Sequence, residues 1–313
     1  QIFRSYNVKN RFQINSIFNK PIKLSFISRI IFSLKILFDN SNKNSIFLSR
    51  SIIFALIASL VKKNIILELH HEITGLSKIF YFILKNLGLI NNLNYIFLNK
   101  RLNKIYKIDF KKNIILDDAV KIEDFKLTKS IKYKKACVYI GSFFEGKGIE
   151  QILRLALLNK NINFHLYGDK QVLKTHQKLK NVKIFNFINY NKIPETLSKY
   201  EIALMPYQKK VKGRSSIWLE KYMSPLKMFD YLAARMVIVA SNLEVYKHIL
   251  KNNYNSVLVK VNDDKLWSQN IQKLFKHNSR KSRMMNNAYK TAEKYTWEKR
   301  CKKIIHFGNQ KFY

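Results

Sequence analysis

The sequence is poor in the residues that mark several specialised protein classes. Its 313 residues include 2 Cys, 4 Pro, 8 Gly and 20 acidic residues. Cys137 and Cys301 lie far apart and form no CxxC pair, which excludes a disulfide framework or a zinc knuckle and fits a reducing cytoplasm. The few Gly and Pro exclude collagen-like and low-complexity architectures. The longest apolar run without a charge, residues 51–61, is about half of a membrane span.

Basic residues, in contrast, are abundant. The chain carries 58 Lys plus Arg, a net charge of +38, and 47% hydrophobic residues, a content too high for a disordered basic tail. The excess lies in 47 Lys, 39 Ile and 32 Asn, which A/T-rich codons encode, whereas Arg, the better reader of guanine and phosphate, occurs 11 times. We interpret the charge mainly as genomic base composition. A nucleic-acid-binding protein remains an alternative, and a basic surface would also suit an anionic membrane face.

Short apolar runs alternate with helical stripes along the chain. Such alternation is typical of parallel strands covered by helices on both faces. The predicted strands are 45–49, 64–69, 94–98, 113–116, 136–140, 164–167, 182–187, 202–205, 237–240 and 256–259. The predicted helices are 22–38, 51–63, 77–89, 100–106, 149–158, 194–199, 225–234, 244–250, 264–276, 279–294 and 297–306. The sequence therefore predicts an α/β protein with two doubly wound parallel sheets, joined near a lysine-rich stretch at 124–134.

In doubly wound sheets, ligands bind outside the carboxyl ends of the strands, so two such domains facing a cleft place the default site between those edges. The first candidate is the loop after strand 136–140, which contains Gly141 and Gly146-Lys147-Gly148. Glycines allow a close backbone approach to an anion, and Lys147 adds a full charge. The loop matches neither GxxxxGK[ST] nor GxGxxG, so an ordinary strand–helix turn is an equal alternative.

The second candidate is the helix that starts near residue 224. Ser224 is predicted as the N-cap and Pro225 as the first helical residue, so that free backbone N–H groups point out of the helix start. Asp230 follows within two turns, and Lys227 lies three residues before it. One interpretation is a phosphate-binding helix start with a carboxylate that accepts hydrogen bonds from sugar hydroxyls. The other is a surface Lys–Asp pair.

The order of these blocks resembles one family. The blocks are GSFFEGKGIEQIL, FHLYGD, NVKIFNFI, IALMPY, SPLKMFDYLAARMVIVAS, YNSVLV and YTWEKR, over about residues 136–305. They are similar to those of the retaining, nucleotide-sugar-dependent glycosyltransferases of group 1, family 4 type, which have the two-domain GT-B fold. The resemblance implies an acceptor-side domain at 1–125, a donor-nucleotide-binding domain at 126–295, and a last helix at 296–313 that crosses back to the first domain. We expect the first domain to be incomplete at its start, because its glycine-rich first loop is not visible.

The resemblance also implies roles for particular residues. Lys147 matches the lysine that holds the donor diphosphate, and Asp230 matches the second acid of an E-x7-E pattern, which binds ribose. The implied donor-binding set is Gly141, Ser142, Lys147, Ile188, Arg214, Ser224, Pro225, Leu226 and Asp230. His70 matches a histidine that faces the transferred sugar, with a capped surface histidine as the alternative. Lys147, Asp230 and His70 form the implied catalytic set.

Two positions depart from the family pattern. Ser142 stands where the family has an arginine, and Tyr222 stands where the first acid of E-x7-E would fall. Arg214, or Lys209 and Lys210, is our hypothesis for the missing phosphate charge. Tyr222 leaves open a non-catalytic relative that binds a sugar nucleotide or glycan.

The reaction implied is transfer of a sugar from a nucleotide diphosphate sugar to an acceptor hydroxyl, with retention of configuration. Asp117-Asp118 and Asp263-Asp264 are interpreted as solvated turns, so no metal and no cofactor are expected. The expected acceptor is a glycan or lipid-linked glycan, as in polysaccharide or lipopolysaccharide biosynthesis, in a cytoplasmic protein at the periphery of the inner membrane face. The apolar stripe at 22–38, with Ile27, Ile30, Ile31, Leu34 and Phe38 on one side, is interpreted as core-facing, with membrane contact as the alternative.

Overall fold

The computed structural model describes residues 26–39, 45–126, 129–169, 179–213, 218 and 220–312. These residues form two compact α/β units. The first unit contains the described residues up to 117 together with those after 300, and the second unit contains the described residues from 118 to 300. The domain boundaries at 125/126 and 295/296 stay predictions.

The first unit is built on a parallel sheet of four strands in the order β1-β2-β3-β4. The strands are β1 (Ile46–Ser49), β2 (Asn64–Leu69), β3 (Asn94–Phe97) and β4 (Asn113–Ile115). The helices are α1 (Phe26–Asp39), α2 (Ile52–Leu60), α3 (Leu76–Asn86) and α4 (Lys100–Tyr106). Side-chain caps fix two of the helix starts, since Ser51 accepts a hydrogen bond from the Phe54 N–H and Asn99 accepts from two N–H groups of α4.

The second unit has a parallel sheet of six strands in the order β10-β9-β8-β5-β6-β7. The strands are β5 (Ala136–Ile140), β6 (Asn163–Tyr167), β7 (Val182–Phe185), β8 (Ile202–Met205), β9 (Val237–Ser241) and β10 (Ser256–Val259). The helices are α5 (Ile149–Leu158), α6 (Ile193–Ser198), α7 (Leu226–Ala233), α8 (Asp264–Lys276) and α9 (Asn278–Ala292). A final helix, α10 (Trp297–Phe312), follows; its Phe307 packs with Ile66 and Ile96 of the first sheet.

Both faces of the second sheet are buried. Val138 and Ile140 of β5 belong to one hydrophobic cluster, whereas Cys137 and Tyr139 belong to another. Because successive strand residues point to opposite faces, this alternation places one layer of core on each side of the sheet. The prediction of strands covered by helices on both faces is confirmed for this unit.

Most predicted elements occur within two or three residues of their predicted bounds, but two predictions are wrong. The helix predicted at 244–250 is a short 3-10 turn at Glu244–Tyr246. The stripe on α1 is not core-facing, because Ile27, Ile31, Leu34 and Phe38 are exposed and Ile30 is half-buried, whereas Ser33 and Leu37 are buried. Residues 22–25 of that predicted helix lie outside the described residues.

Candidate functional site

The strand order of the second sheet reverses between β5 and β8. The chain runs from β5 outward through β6 to β7, and then returns to β8 on the other side of β5. Crossover connections on the two sides of such a reversal leave the sheet in opposite directions, which opens a crevice at the carboxyl ends of the two strands. The loops that follow these strands, residues 141–148 and 206–212, therefore form the candidate ligand site.

Glycines allow these two loops to pack closely. A Cβ atom on Gly146 would lie 1.9 Å from the Lys210 carbonyl oxygen, and one on Gly148 would lie 1.9 Å from the Pro206 carbonyl oxygen. Hydrogen bonds join the loops as well, since the Gln208 N–H donates to the Gly146 carbonyl at 2.9 Å. Both glycines have φ values near +80°, which side chains disfavour. The loop that carries Lys147 is thus held against its neighbour along its backbone.

Lys147 extends from this loop toward a tyrosine ring. Its Nζ lies 4.9 Å from the centre of the Tyr207 ring. Burial lowers the pKa of Lys147 to about 8, because partial removal from water disfavours the charged form. An anion placed beside this amine would restore its charge. The predicted phosphate-binding lysine is therefore at the strand edge where ligands are expected; its role stays a prediction.

Lys227 is the residue that sequence reasoning misjudged most. Its Nζ is buried, lies 3.6 Å from the centre of the Tyr139 ring, and has no hydrogen-bond partner among the described residues. Burial lowers its pKa well below the usual value, the nearby charge of Lys147 lowers it further, and Asp230 opposes both effects. The interpretation of Lys227 and Asp230 as a surface pair is therefore wrong, because the lysine Nζ and the aspartate are both buried.

Asp230 lies on the same helix, α7, and is 7% exposed. Burial raises the pKa of its carboxyl to about 7, against the opposing effect of Lys227. Burial raises the pKa of Tyr190, and the negative charges of Asp230 and Asp124 raise it further. Two lysines, one carboxyl group and several tyrosines thus share one partly dry region. Such clustering of perturbed groups is typical of functional sites.

The start of α7 differs from the prediction. The helix begins at Leu226 with Pro225 as its N-cap, so Ser224 is not the capping residue. The Ser224 hydroxyl instead accepts a hydrogen bond at 3.0 Å from the N–H of Asp118. This bond ties the first described residue of the second unit to the start of α7. Pro225 has no N–H group to offer, and the free donors at this helix start come from the residues that follow it.

The remaining predicted residues lie at several places. Ser142 is half-buried, and its carbonyl accepts a hydrogen bond at 2.8 Å from the Tyr139 hydroxyl. Ile188 is half-buried against the core, and Arg214 lies outside the described residues. His70, at the end of β2 in the first unit, pairs with Glu68 at 2.5 Å between Nε2 and Oε1. The roles implied for these residues stay predictions.

Four residues of the region were not among the predicted set: Tyr139, Tyr190, Tyr207 and Lys227. One signal was available for Lys227, because its spacing of three residues places it on the same helix face as Asp230. Tyr139 and Tyr207 lie at or just beyond strand ends, and Tyr190 begins a short 3-10 turn after β7. Their roles follow only from packing.

The described ranges contain no group of three or more His, Cys, Asp or Glu side chains that could hold a metal ion. Asp263 caps α8 by accepting a hydrogen bond from the Leu266 N–H at 3.0 Å, and Asp264 binds Arg154. That pair therefore serves the fold, while metal independence stays a prediction. Over the same described ranges, no helix has the length and apolarity needed to cross a bilayer.

Solved structures share this fold at low sequence identity. TarM of S. aureus matches with a TM-score of 0.68 and 17% identity, over 90% of this chain and 58% of TarM. A glycosyltransferase from Rickettsia africae matches with a TM-score of 0.71 and 13% identity, over 99% of this chain and 86% of its own. Anabaena HepE, solved with UDP and glucose, matches with a TM-score of 0.69 and 12% identity, over 99% and 86%. The chain thus spans less than two thirds of TarM, and its fold is the GT-B fold, as predicted.

A search of curated protein sequences found no match to this chain. A family match, in contrast, covers more than half of it. Residues 120–291 match the family described as Glycosyl transferases group 1. This range includes both loops of the candidate site and helix α7. The chain therefore belongs to the group 1 glycosyl transferases.

Proposed function

We propose that this protein transfers a sugar from a nucleotide diphosphate sugar to an acceptor hydroxyl, with retention of anomeric configuration. The observation that carries the proposal is Lys147, half-buried on a glycine-held loop at the point where the strand order reverses, inside the range that matches the family. Related folds support it, since HepE was solved with UDP and glucose and the pneumococcal transferase GtfA with UDP and GlcNAc. A diphosphate is the anion that such a site would suit.

The chemistry requires stabilisation of a leaving group. When the bond between the sugar and the diphosphate breaks, negative charge develops on the diphosphate oxygens. Lys147 and the backbone N–H groups at the start of α7 would stabilise this charge, as preorganised donors do in a partly dry site. These groups would do the work of a divalent cation, so we propose metal-independent transfer without a cofactor.

Asp230 and His70 have proposed roles at the two ends of the donor. Asp230, once ionised, would accept hydrogen bonds from the ribose hydroxyls. His70 would face the transferred sugar, and its hydrogen bond to Glu68 would fix the orientation of the ring. Ile188 and Ser142 would complete the donor pocket from the strand ends. Arg214 keeps its proposed place at the phosphates.

The acceptor and the location of the protein are proposed on weaker support. Exposed apolar side chains follow one side of α3, at Leu76, Ile79, Ile83 and Leu87, in addition to those of α1. Exposed apolar stripes beside lysines suit the surface of an anionic membrane. We propose a cytoplasmic enzyme that acts on a glycan or a lipid-linked acceptor and makes peripheral contact with the inner membrane face.

A second candidate is a non-catalytic relative that binds a sugar nucleotide or glycan. Tyr222, at the position of the family's first acid, is buried and brings no carboxylate to the site. Such a protein would bind the donor but release no nucleoside diphosphate when acceptors are present. Measurement of nucleotide release separates the two candidates.

The proposal is tested first by donor binding. A thermal-shift screen should include UDP, GDP, ADP and dTDP together with their common sugar conjugates, each with and without EDTA. We expect at least one nucleoside diphosphate to raise the melting temperature, with no loss in EDTA, because bound ligand stabilises the folded state. No shift across the whole panel would contradict the proposed function, whereas a shift abolished by EDTA would contradict metal independence. For a confirmed donor, NMR of the product's anomeric signal then tests retention.

A further inference from the structure

The resemblance described in the sequence analysis implies an arginine directly after the strand-ending glycine of the phosphate site. This chain has Ser142 at that position, so one expected positive charge is missing there. Of the lysines proposed as substitutes, Lys209 and Lys210 are exposed, and the Lys210 Nζ lies 5.9 Å from the centre of the Trp218 ring. An exposed lysine is well solvated and has little need of an anion.

Lys227 lies beside the residue that precedes Ser142, since its Nζ approaches the backbone of Gly141. The ring of Tyr139 contacts the Lys227 Nζ, while the hydroxyl of the same tyrosine donates a hydrogen bond to the Ser142 carbonyl. One side chain thus joins Lys227 to the backbone of the substituted position. Gly141 makes the room, because a Cβ atom there would lie 2.5 Å from the Lys227 Nζ.

The buried position of the Lys227 amine lowers the stability of the empty folded protein. An amine that is buried without a hydrogen-bond partner loses the hydration that it has in the unfolded chain. The nearby positive charge of Lys147 adds repulsion, and the two Nζ atoms lie 4.9 and 5.5 Å from the centre of the same Tyr207 ring. Tyrosine faces offset part of this penalty. A bound dianion would offset the rest, so the pair is arranged for a ligand.

We propose that Lys227 binds the donor diphosphate together with Lys147, and thereby provides from helix α7 the positive charge that the family's arginine provides at position 142. This inference rests on the proposed function and adds a residue to its phosphate site. Helix α7 then contributes twice to one ligand, through the N–H groups at its start and through the side chain of its second residue.

The test compares the affinities of Lys227→Met and the wild type for UDP, GDP and inorganic pyrophosphate by calorimetry. Pyrophosphate reports the phosphate site independently of the base. We expect Lys227→Met to weaken binding roughly 10- to 100-fold, as is typical when a hydrogen bond to a charged group is lost. Lys147→Met should weaken binding similarly. Lys273→Met, which removes an exposed lysine from α8, is the matched control and should bind as the wild type does.

Two further measurements separate this role from a structural one. Without ligand, Lys227→Met should melt at or above the temperature of the wild type, because methionine removes a buried amine. At pH 8.5, calorimetry in buffers of different ionisation enthalpy should show proton uptake on binding by the wild type and less uptake by Lys227→Met. If Lys227 only supports the fold, Lys227→Met should lower the melting temperature and leave proton uptake on binding unchanged. That pair of results would overturn the assignment.

A rescue variant tests the equivalence with position 142. Adding Ser142→Arg to Lys227→Met should restore most of the lost affinity, and failure to do so would overturn the equivalence. Unchanged affinity in Lys227→Met, with weaker binding in Lys147→Met, would overturn the role of Lys227 and leave the proposed function standing. Wild-type protein that binds none of the three probes would overturn both.

Discussion

At the scale of single residues, burial beside the other residues of the candidate site distinguishes Lys147 and Lys227 from most of the 47 lysines. Most lysines can extend into water, where one more cation changes little. Lys147 and Lys227 are held against tyrosine rings instead, and both have lowered pKa values because water is excluded. Sequence reasoning found Lys147 from its glycine-flanked loop. It could not find the surroundings of Lys227, because Tyr139 and Gly141 are more than eighty residues away in sequence and meet it only in the folded sheet.

The lowered pKa of Lys147 predicts how stability depends on pH. In the unfolded chain this lysine stays protonated up to its usual pKa of 10.5, whereas in the empty folded protein it loses its proton near pH 8. Between these values the unfolded state binds more protons, so the free energy of unfolding rises with pH. The contribution is at most about 3 kcal/mol. Chemical denaturation from pH 7.5 to 9.5 should show this rise in the wild type and a smaller one in Lys147→Met.

The matched Lys273→Met control should keep the slope of the wild type, since that lysine is exposed. Equal slopes in Lys147→Met and the wild type would mean that Lys147 remains charged and hydrated in the empty protein. Saturation with a nucleoside diphosphate should flatten the wild-type curve, because the ligand restores the proton.

At the scale of elements, strands and their order were more predictable than helix ends. Strands such as 136–140 and 202–205 are short apolar runs bounded by polar residues, and the sheet gives them the same bounds. The start of α7 was misassigned because Ser224 and Pro225 fit the preferred N-cap and first helical positions. In the fold, however, the Ser224 hydroxyl accepts from the Asp118 N–H, 106 residues away in sequence. The helix predicted at 244–250 is only a turn, where the Tyr246 hydroxyl donates to the Ser241 carbonyl at 2.6 Å.

The close contact between the two site loops predicts the effect of a single methyl group. Gly148→Ala should destabilise the second unit, because its φ is +83° and the new Cβ would meet the Pro206 carbonyl oxygen. The strained backbone alone costs about 1–2 kcal/mol, and the contact forces the loops apart in addition. We expect a lower melting temperature together with weaker binding of the nucleoside diphosphate, measured by thermal unfolding and calorimetry.

Gly75→Ala separates strain from contact. Gly75 also has a positive φ, of +61°, but its Cβ would have no atom within 4 Å. This variant should lose only the strain energy and keep its affinity for nucleotide. Equal losses of nucleotide affinity in the two variants would show that the packing of the loops does not shape the site.

At the scale of the whole molecule, the charge of +38 alone does not identify the function. Exposed apolar stripes beside basic residues, however, are the combination that suits contact with an anionic membrane. Apolar side chains that stay exposed on a folded unit often mark a contact surface. The sequence predicted a helix at 77–89 and gave no reason to expect an outward stripe on it. Leu76, Ile79, Ile83 and Leu87 face solvent because Tyr81 and Leu84, on the opposite side of α3, fill the core. Apolar residues occur on both sides of α3, so the neighbouring sheet decides which side is buried.

The last prediction concerns this surface. Flotation with vesicles that contain about one third phosphatidylglycerol should show binding of the wild type, and neutral vesicles should show less, because lysines near the surface attract anionic lipid. Ile79→Ser with Ile83→Ser should weaken vesicle binding by about 30-fold, since roughly 1 kcal/mol of apolar burial is lost for each of the two side chains. Leu157→Ser with Leu158→Ser removes two exposed leucines from α5 and is the matched control, expected to bind as the wild type does. If both pairs weaken binding equally, the contact is not specific to α3 and reflects general hydrophobicity; if neither does, charge alone holds the protein at the vesicle. Only a loss confined to the α3 pair supports a membrane contact made by this stripe.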